Sequence, residues 1–111
     1  MTEARLATGI WVSAYVRRLQ LAGLPAYITA KGDDTAGAVL VKLALLDGTA
    51  RAYLRRYDFE RDARVWDVLC DGAETDVDAA ISRQRSFDSD LWVIEVEDAK
   101  GRHLLEEDGL A

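Results

Sequence analysis

The sequence predicts an α+β fold: a mostly antiparallel sheet of about five strands with two helices, in the order α-β-β-β-β-α-β. Three observations carry this. Residues 37–57, GAVLVKLALLDGTARAYLRRY, hold two strand-like runs joined by Asp47-Gly48. Two other segments repeat apolar residues at three- and four-residue spacing, the helical period. The chain has 111 residues, 50% of them apolar and 31% charged, which suits one globular domain spanning 1–111 and large enough to bury a core without staples. A sheet with helices packed on one face is the expected layering.

The elements follow in order. Thr8 is placed to cap a helix over about 9–22, with Ile10, Trp11, Ala14, Tyr15, Leu19 and Ala22 as its apolar set and Arg17 and Arg18 on the wet side. Gly23 stops it, and Pro25 prevents continuation. Ala26–Ala30 reads as a first strand, with Tyr27 and Thr29 on one side and Ile28 on the other. Residues 31–37 form a polar connection rich in turn formers.

The central hairpin comes next. Asp47-Gly48 suits a two-residue type I′ turn, whose central residues both need φ > 0. That turn sets Leu46 opposite Thr49, Leu43 opposite Ala52 and Val41 opposite Leu54. Alternation then puts Val39, Val41, Leu43, Leu45, Ala50, Ala52 and Leu54 on the core face. Lys42, Arg51, Tyr53, Arg55 and Tyr57 fall on the reverse face, with Lys42 across from Tyr53.

Residues 58–62 read as a charged turn and 64–70 as a fourth strand. Thr75 is placed to cap a second helix whose Val77, Ala80, Ile81 and Gln84 line one side. Leu91–Val96 is apolar on both faces at its start, so it belongs inside the sheet. A turn over 98–101 and an acidic, solvated tail close the chain.

Several chemistries are disfavoured. One cysteine, Cys70, excludes an intramolecular disulfide and fits a reducing cytoplasm. The apolar run at 10–16 is too short to span a bilayer, and the N-terminus lacks the pattern of a signal peptide. The net charge is −6. Residues 1–64 carry ten Lys/Arg against seven Asp/Glu, net +3, and residues 65–111 carry four against thirteen, net −9. That balance disfavours nucleic acid and anionic membrane as partners.

One histidine, His103, and one distant cysteine do not make a zinc site. A Cys70–His103 pair would be needed for thiol catalysis, and nothing in the sequence requires one; Cys70 reads as a small core residue. Asp33-Asp34 reads as a turn rather than a metal site. Gly32 and Gly37 do not form a phosphate loop. A metal-dependent nuclease core with a similar element mix needs an acid-x-Lys element on a strand. Leu54-Arg55-Arg56 supplies no acid there, and Asp98-Ala99-Lys100 falls in a turn. No catalytic residue, metal ligand or cofactor is assigned.

The reverse face of the hairpin remains. Arginine forks beside tyrosine rings hold phosphates, stack on bases or anchor a protein partner, so Lys42, Arg51, Tyr53, Arg55 and Tyr57 are the candidate binding residues. The bland reading is a solvated sheet face or one covered by a helix, with the arginine heads turned outward. Arg56 must reach the rim or meet an acid among Asp58, Asp67 and Glu95. Trp11, Trp66 and Trp92 read as core anchors.

One resemblance covers nearly the whole chain. Trp11-Val12, Ala14, Arg17-Arg18-Leu19 and Ala22-Gly23 run into Pro25-Ala26-Tyr27. GAVLVK at 37–42 is followed by LDGTAR at 46–51, Arg64-Val65-Trp66 and DLWVIEVED at 90–98. Together these resemble the short alphaproteobacterial proteins grouped as domain-of-unknown-function family 1491. The resemblance implies a bacterial, cytoplasmic setting and carries over no catalytic residues. The expected function is a non-enzymatic binding or assembly module using the Arg/Tyr hairpin face, its partner another protein or a second copy in a homodimer. The alternative is a nucleic-acid-binding or metal-dependent nucleic-acid-processing protein.

Overall fold

The computed structural model describes residues 6–107. The expected lead-in and acidic tail lie partly outside them. The elements are α1 (Thr8–Leu21), β1 (Ala26–Ala30), β2 (Val39–Ala44), β3 (Thr49–Asp58), β4 (Ala63–Ala73), α2 (Glu74–Phe87) and β5 (Trp92–Glu97), in the expected order. The five strands form one sheet in the spatial order β1-β5-β2-β3-β4. All neighbours are antiparallel except β2 and β5, which run parallel at the centre. The chain returns through α2 to place β5 inside the sheet, as its apolar start requires.

Helix α1 ends as its sequence dictates. Gly23 has φ +78°, and the Gly23 and Leu24 N–H groups donate to the Gln20 and Leu19 carbonyls, a Schellman closure. Its start differs from expectation. Ala7 is the cap residue and no side chain caps the helix. Thr8 lies in the first turn instead, and its hydroxyl donates to Gly37 O at 2.9 Å, tying α1 to the 31–38 connection. In α2 the cap is Ala73 rather than Thr75. Its first residue, Glu74, donates its N–H to Gly48 O at the hairpin tip.

The helices lie on opposite faces of the sheet, not on one. Trp11, Val12, Tyr15 and Leu19 of α1 pack with Val39, Val41, Leu43, Ile94 and Val96. Val77 and Ile81 of α2 pack with Leu40, Ala50, Ala52 and Val93. All six residues of β2 are buried. A central strand covered on both faces carries no polar side to mark solvent, so the single-sided reading failed there.

The hairpin register is one residue off the expectation. Ala44 pairs with Ala50, Leu43 with Arg51, Lys42 with Ala52, Val41 with Tyr53 and Leu40 with Leu54. The turn takes an extra residue: Leu45 N–H donates to Thr49 O at 3.0 Å, and the positive φ angles fall at Leu46 (64°) and Gly48 (89°). The Asp47 carboxylate folds back to accept from Thr49 N (3.0 Å) and Thr49 Oγ1 (2.5 Å), an Asx-type closure that holds this turn. A one-residue slip exchanges faces. Ala50, Ala52 and Leu54 therefore join Leu40 and Lys42 beneath α2, while Arg51, Tyr53 and Arg55 join Val41 and Leu43 beneath α1.

The connection at 31–38 is drawn tightly onto Asp90. Asp33 N–H donates to Asp90 O, and the Asp33 carboxylate accepts from Thr35 N and Ala36 N. A Cβ at Gly32 would lie 2.1 Å from Asp90 O, and one at Gly37 2.5 Å from it. These two glycines serve close backbone approach. The three tryptophans behave as anchors: Trp11 and Trp92 are buried, and Trp66 packs against the α1-side core. Trp92 Nε1 donates to Asp33 O at 2.8 Å.

Candidate functional site

The register separates the five predicted site residues. Lys42 faces α2, away from the other four. Its Nζ meets Glu74 Oε2 and Asp78 Oδ1 at 2.7 Å each and Glu95 Oε1 at 3.3 Å. Glu74 and Asp78 sit four residues apart on α2, so one helical face presents both carboxylates. Burial alone would depress the ammonium. Hydrogen bonds to Asp78 and Glu74, with the charge of Glu95, more than reverse this, and its pKa lies above the ordinary lysine value. Lys42 thus fastens α2 to the sheet, and its donors are committed.

The remaining four alternate along the α1 face of β3, and each has a different environment. Arg51 is exposed, lies 3.5 Å from Asp71, and donates to the Tyr53 hydroxyl at 3.4 Å. Tyr53 is buried, its ring 4.8 Å from that of His103. The closing segment at 102–105 covers it, anchored by the Tyr15 hydroxyl donating to His103 O at 2.7 Å. His103 Nδ1 accepts from Leu105 N, which fixes the neutral imidazole, and burial pushes its pKa below the usual value. Cys70 packs on the α2 side and His103 on the α1 side, so the sheet separates the two.

Arg55 is the unusual member. Its guanidinium lies over the rings of Trp11 (4.7 Å) and Trp66 (5.8 Å), which are 5.7 Å from each other. Trp66 pairs directly with Arg55 across β3–β4, and α1 brings Trp11 from above. Arg55 Nη1 is buried without a hydrogen-bond acceptor, as are Trp11 Nε1 and Trp66 Nε1. Burial and the neighbouring Arg64 together lower its pKa to about 10, so it stays charged at neutral pH. The indole faces offset part of the desolvation cost, by about 2 kcal/mol for a desolvated cation–π contact.

Beside Arg55 opens a cavity of about 470 Å³ lined by Thr8, Thr35, Arg55, Arg56, Tyr57 and Arg64, among others. Among the described residues no carboxylate contributes to the lining. Arg64 pairs with Tyr57 across the strands, so it shares the α1 face with Arg55. Arg56 Nε donates to Asp67 on the other face, the acid among its three expected candidates that it reaches. Arg64 was missed in the sequence reading. Its signal was the β3–β4 pairing, which sets it opposite Tyr57. A second crevice of about 550 Å³ lies between α1 and β1, with Ile10, Ile28 and Trp92 among its walls, and among the described residues gathers only Lys31 and Asp34 as charged groups.

Fold and site together define a small α+β domain with one helix on each face of its sheet and an arginine-lined cavity on the α1 side. The chain belongs to the family described as protein of unknown function (DUF1491), whose model matches residues 6–106. It is similar to a DUF1491 family protein from Caulobacter crescentus CB15. The crystal structure of that protein is 43% identical, with 92% of this chain and 94% of that one covered and a TM-score of 0.80. An NMR structure of a DUF1491 family protein from the same organism is 41% identical over 95% and 96% of the two chains, at a TM-score of 0.81. The solution structure of protein Atu0922 from A. tumefaciens is 34% identical over 85% and 86%, at a TM-score of 0.72. No curated protein matches the chain. Among the described residues no helix is long and apolar enough to cross a membrane.

Proposed function

We propose that this chain is a non-enzymatic binding module, and that the Arg55–Tyr57 end of the β3 arginine–tyrosine face binds an anionic group. The observation that supports this is the guanidinium of Arg55, held with a buried, acceptor-less Nη1 beside a cavity that Arg64 and the Asp67-paired Arg56 also line and to which no acid contributes among the described residues, in a protein of net charge −6. Buried polar groups are normally paired, and a guanidinium with one unmatched N–H beside a cavity supports an anionic partner there. Arginine suits phosphate or carboxylate because its fork donates two parallel hydrogen bonds. Lys42 is outside this site, and Arg51 and Tyr53 do not line its cavity.

Titration with inorganic phosphate and with citrate, followed by NMR amide shifts, tests the reading. Shifts should concentrate at residues 8, 35–38, 55–57 and 64, weaken as salt is raised, and vanish in Arg55→Met. Shifts scattered over the surface, or unchanged in Arg55→Met, would overturn it.

A further inference from the structure

We infer that the anion is the single phosphate of a nucleotide, and that Phe59 stacks on its base. This rests on the anion reading above and adds the second half of the ligand. Phe59 is 87% exposed, the most exposed large apolar side chain among the described residues. It stands in the β3–β4 turn with its ring open to solvent. Tyr57 meets it edge to face, centroids 4.9 Å apart at 77°. Tyr57 also lines the arginine cavity. One residue therefore joins the cationic cavity to an open aromatic surface, the pairing of charge and ring that recognises a phosphate and its base.

The rest of the turn limits the ligand. The Asp58 carboxylate is occupied: it accepts from Glu60 N and Arg61 N and lies 3.6 Å from the Arg61 guanidinium. Glu60 and Asp62 are exposed beside Phe59. Their charges, with the acidic second half of the chain, oppose a long polyanion tracking over this end. A compact phosphate carried on one nucleotide fits the arginine cavity without crossing them. A mononucleotide and the 5′-phosphorylated end of a short single strand both offer that chemistry.

Calorimetry on the full chain separates the outcomes. The probes are inorganic phosphate, AMP, adenosine, and a pentanucleotide with and without its 5′-phosphate, on wild type, Phe59→Ala and Arg55→Met. AMP should bind about tenfold or more tighter than inorganic phosphate, the stacking contribution of one base. Phe59→Ala should remove that advantage and leave phosphate affinity unchanged; the side chain is exposed, so the fold is undisturbed. Arg55→Met should lose both ligands. Tight binding of the 5′-phosphorylated strand but not the unphosphorylated one identifies a strand end as the source, and binding of AMP alone identifies the free nucleotide. Equal binding of phosphate and AMP, with Phe59→Ala silent, overturns the nucleotide inference and leaves the anion site standing. Adenosine binding as well as AMP overturns the phosphate's role. Absence of binding by every probe overturns the anion reading itself.

Discussion

Lys42 and Arg55 are both cations drawn from solvent against the same sheet, one under each helix, and their surroundings are opposite. Lys42 has three carboxylates within 3.3 Å. Arg55 has two indole faces, a neighbouring arginine and a buried N–H with no acceptor. Burial opposes the charge at both. On the α2 side the opposing acids win and the lysine pKa rises; on the α1 side no acid among the described residues answers and the arginine pKa falls. On the proposed reading, the contrast separates a charge whose work is internal from one whose partner lies outside the chain. A cation that serves stability brings its counterion with it, whereas one kept for a ligand leaves that place open.

The largest expected effect breaks the first half of this contrast. Lys42→Met leaves Glu74, Asp78 and Glu95 facing one another around an apolar side chain. Losing one partner of a buried ion cluster costs roughly 3 kcal/mol, toward the lower part of the usual range because the carboxylates keep some water. Urea unfolding at neutral pH measures this, and a loss below about 1 kcal/mol would show that the cluster does not hold α2.

Arg55→Met tests the second half. Replacing an under-paired buried charge by an apolar side chain of similar length is often neutral or stabilising. We expect the variant to be as stable as wild type or about 1 kcal/mol more stable, while losing phosphate binding. A folded variant that is destabilised by more than about 1 kcal/mol would make Arg55 a structural residue instead.

The hairpin tip offers a smaller test, because it sets the register that sends the two cations to opposite faces. Leu46 holds φ +64° at an exposed position, a conformation that costs a side-chain-bearing residue about 1 kcal/mol. Leu46→Gly should raise stability by about 0.5 kcal/mol, the strain relieved less glycine's extra chain entropy. A decrease in the urea midpoint would contradict that account of the turn.

Acid sensitivity should belong to the α1 side. His103 is the sole histidine, and burial holds its folded pKa below the ordinary 6.5. A depressed folded pKa means the unfolded chain takes the proton first. The stability His103 provides is therefore present above pH 6.5 and is lost as pH falls through the depressed folded value. Asp98, held near 2 by hydrogen bonds from Arg102, keeps its contribution above its ordinary 3.8 and does not confuse this window. A melting temperature that falls between pH 7 and 5 in wild type, and stays level in His103→Gln, is the expected result.

Much of the fold was legible in the sequence because its signals are local. Gly23 and Pro25 end α1, the Asp58–Asp62 stretch turns β3 into β4, and the doubly apolar start of β5 marks an interior strand. Periodicity groups residues on a face of their own element: Arg51, Tyr53, Arg55 and Tyr57 do share one. It does not say which layer covers that face. Because β2 is buried on both sides, its alternation is equally satisfied in either register, and an Asx closure at Asp47 chose the one that the dipeptide rule did not. That single residue of slip sent Lys42 to the acids of α2 and left Arg55 between two tryptophans. The candidate residues were determined by the sequence, and the division between a cation matched by acids and one set against indole rings was decided only when distant elements closed over the sheet.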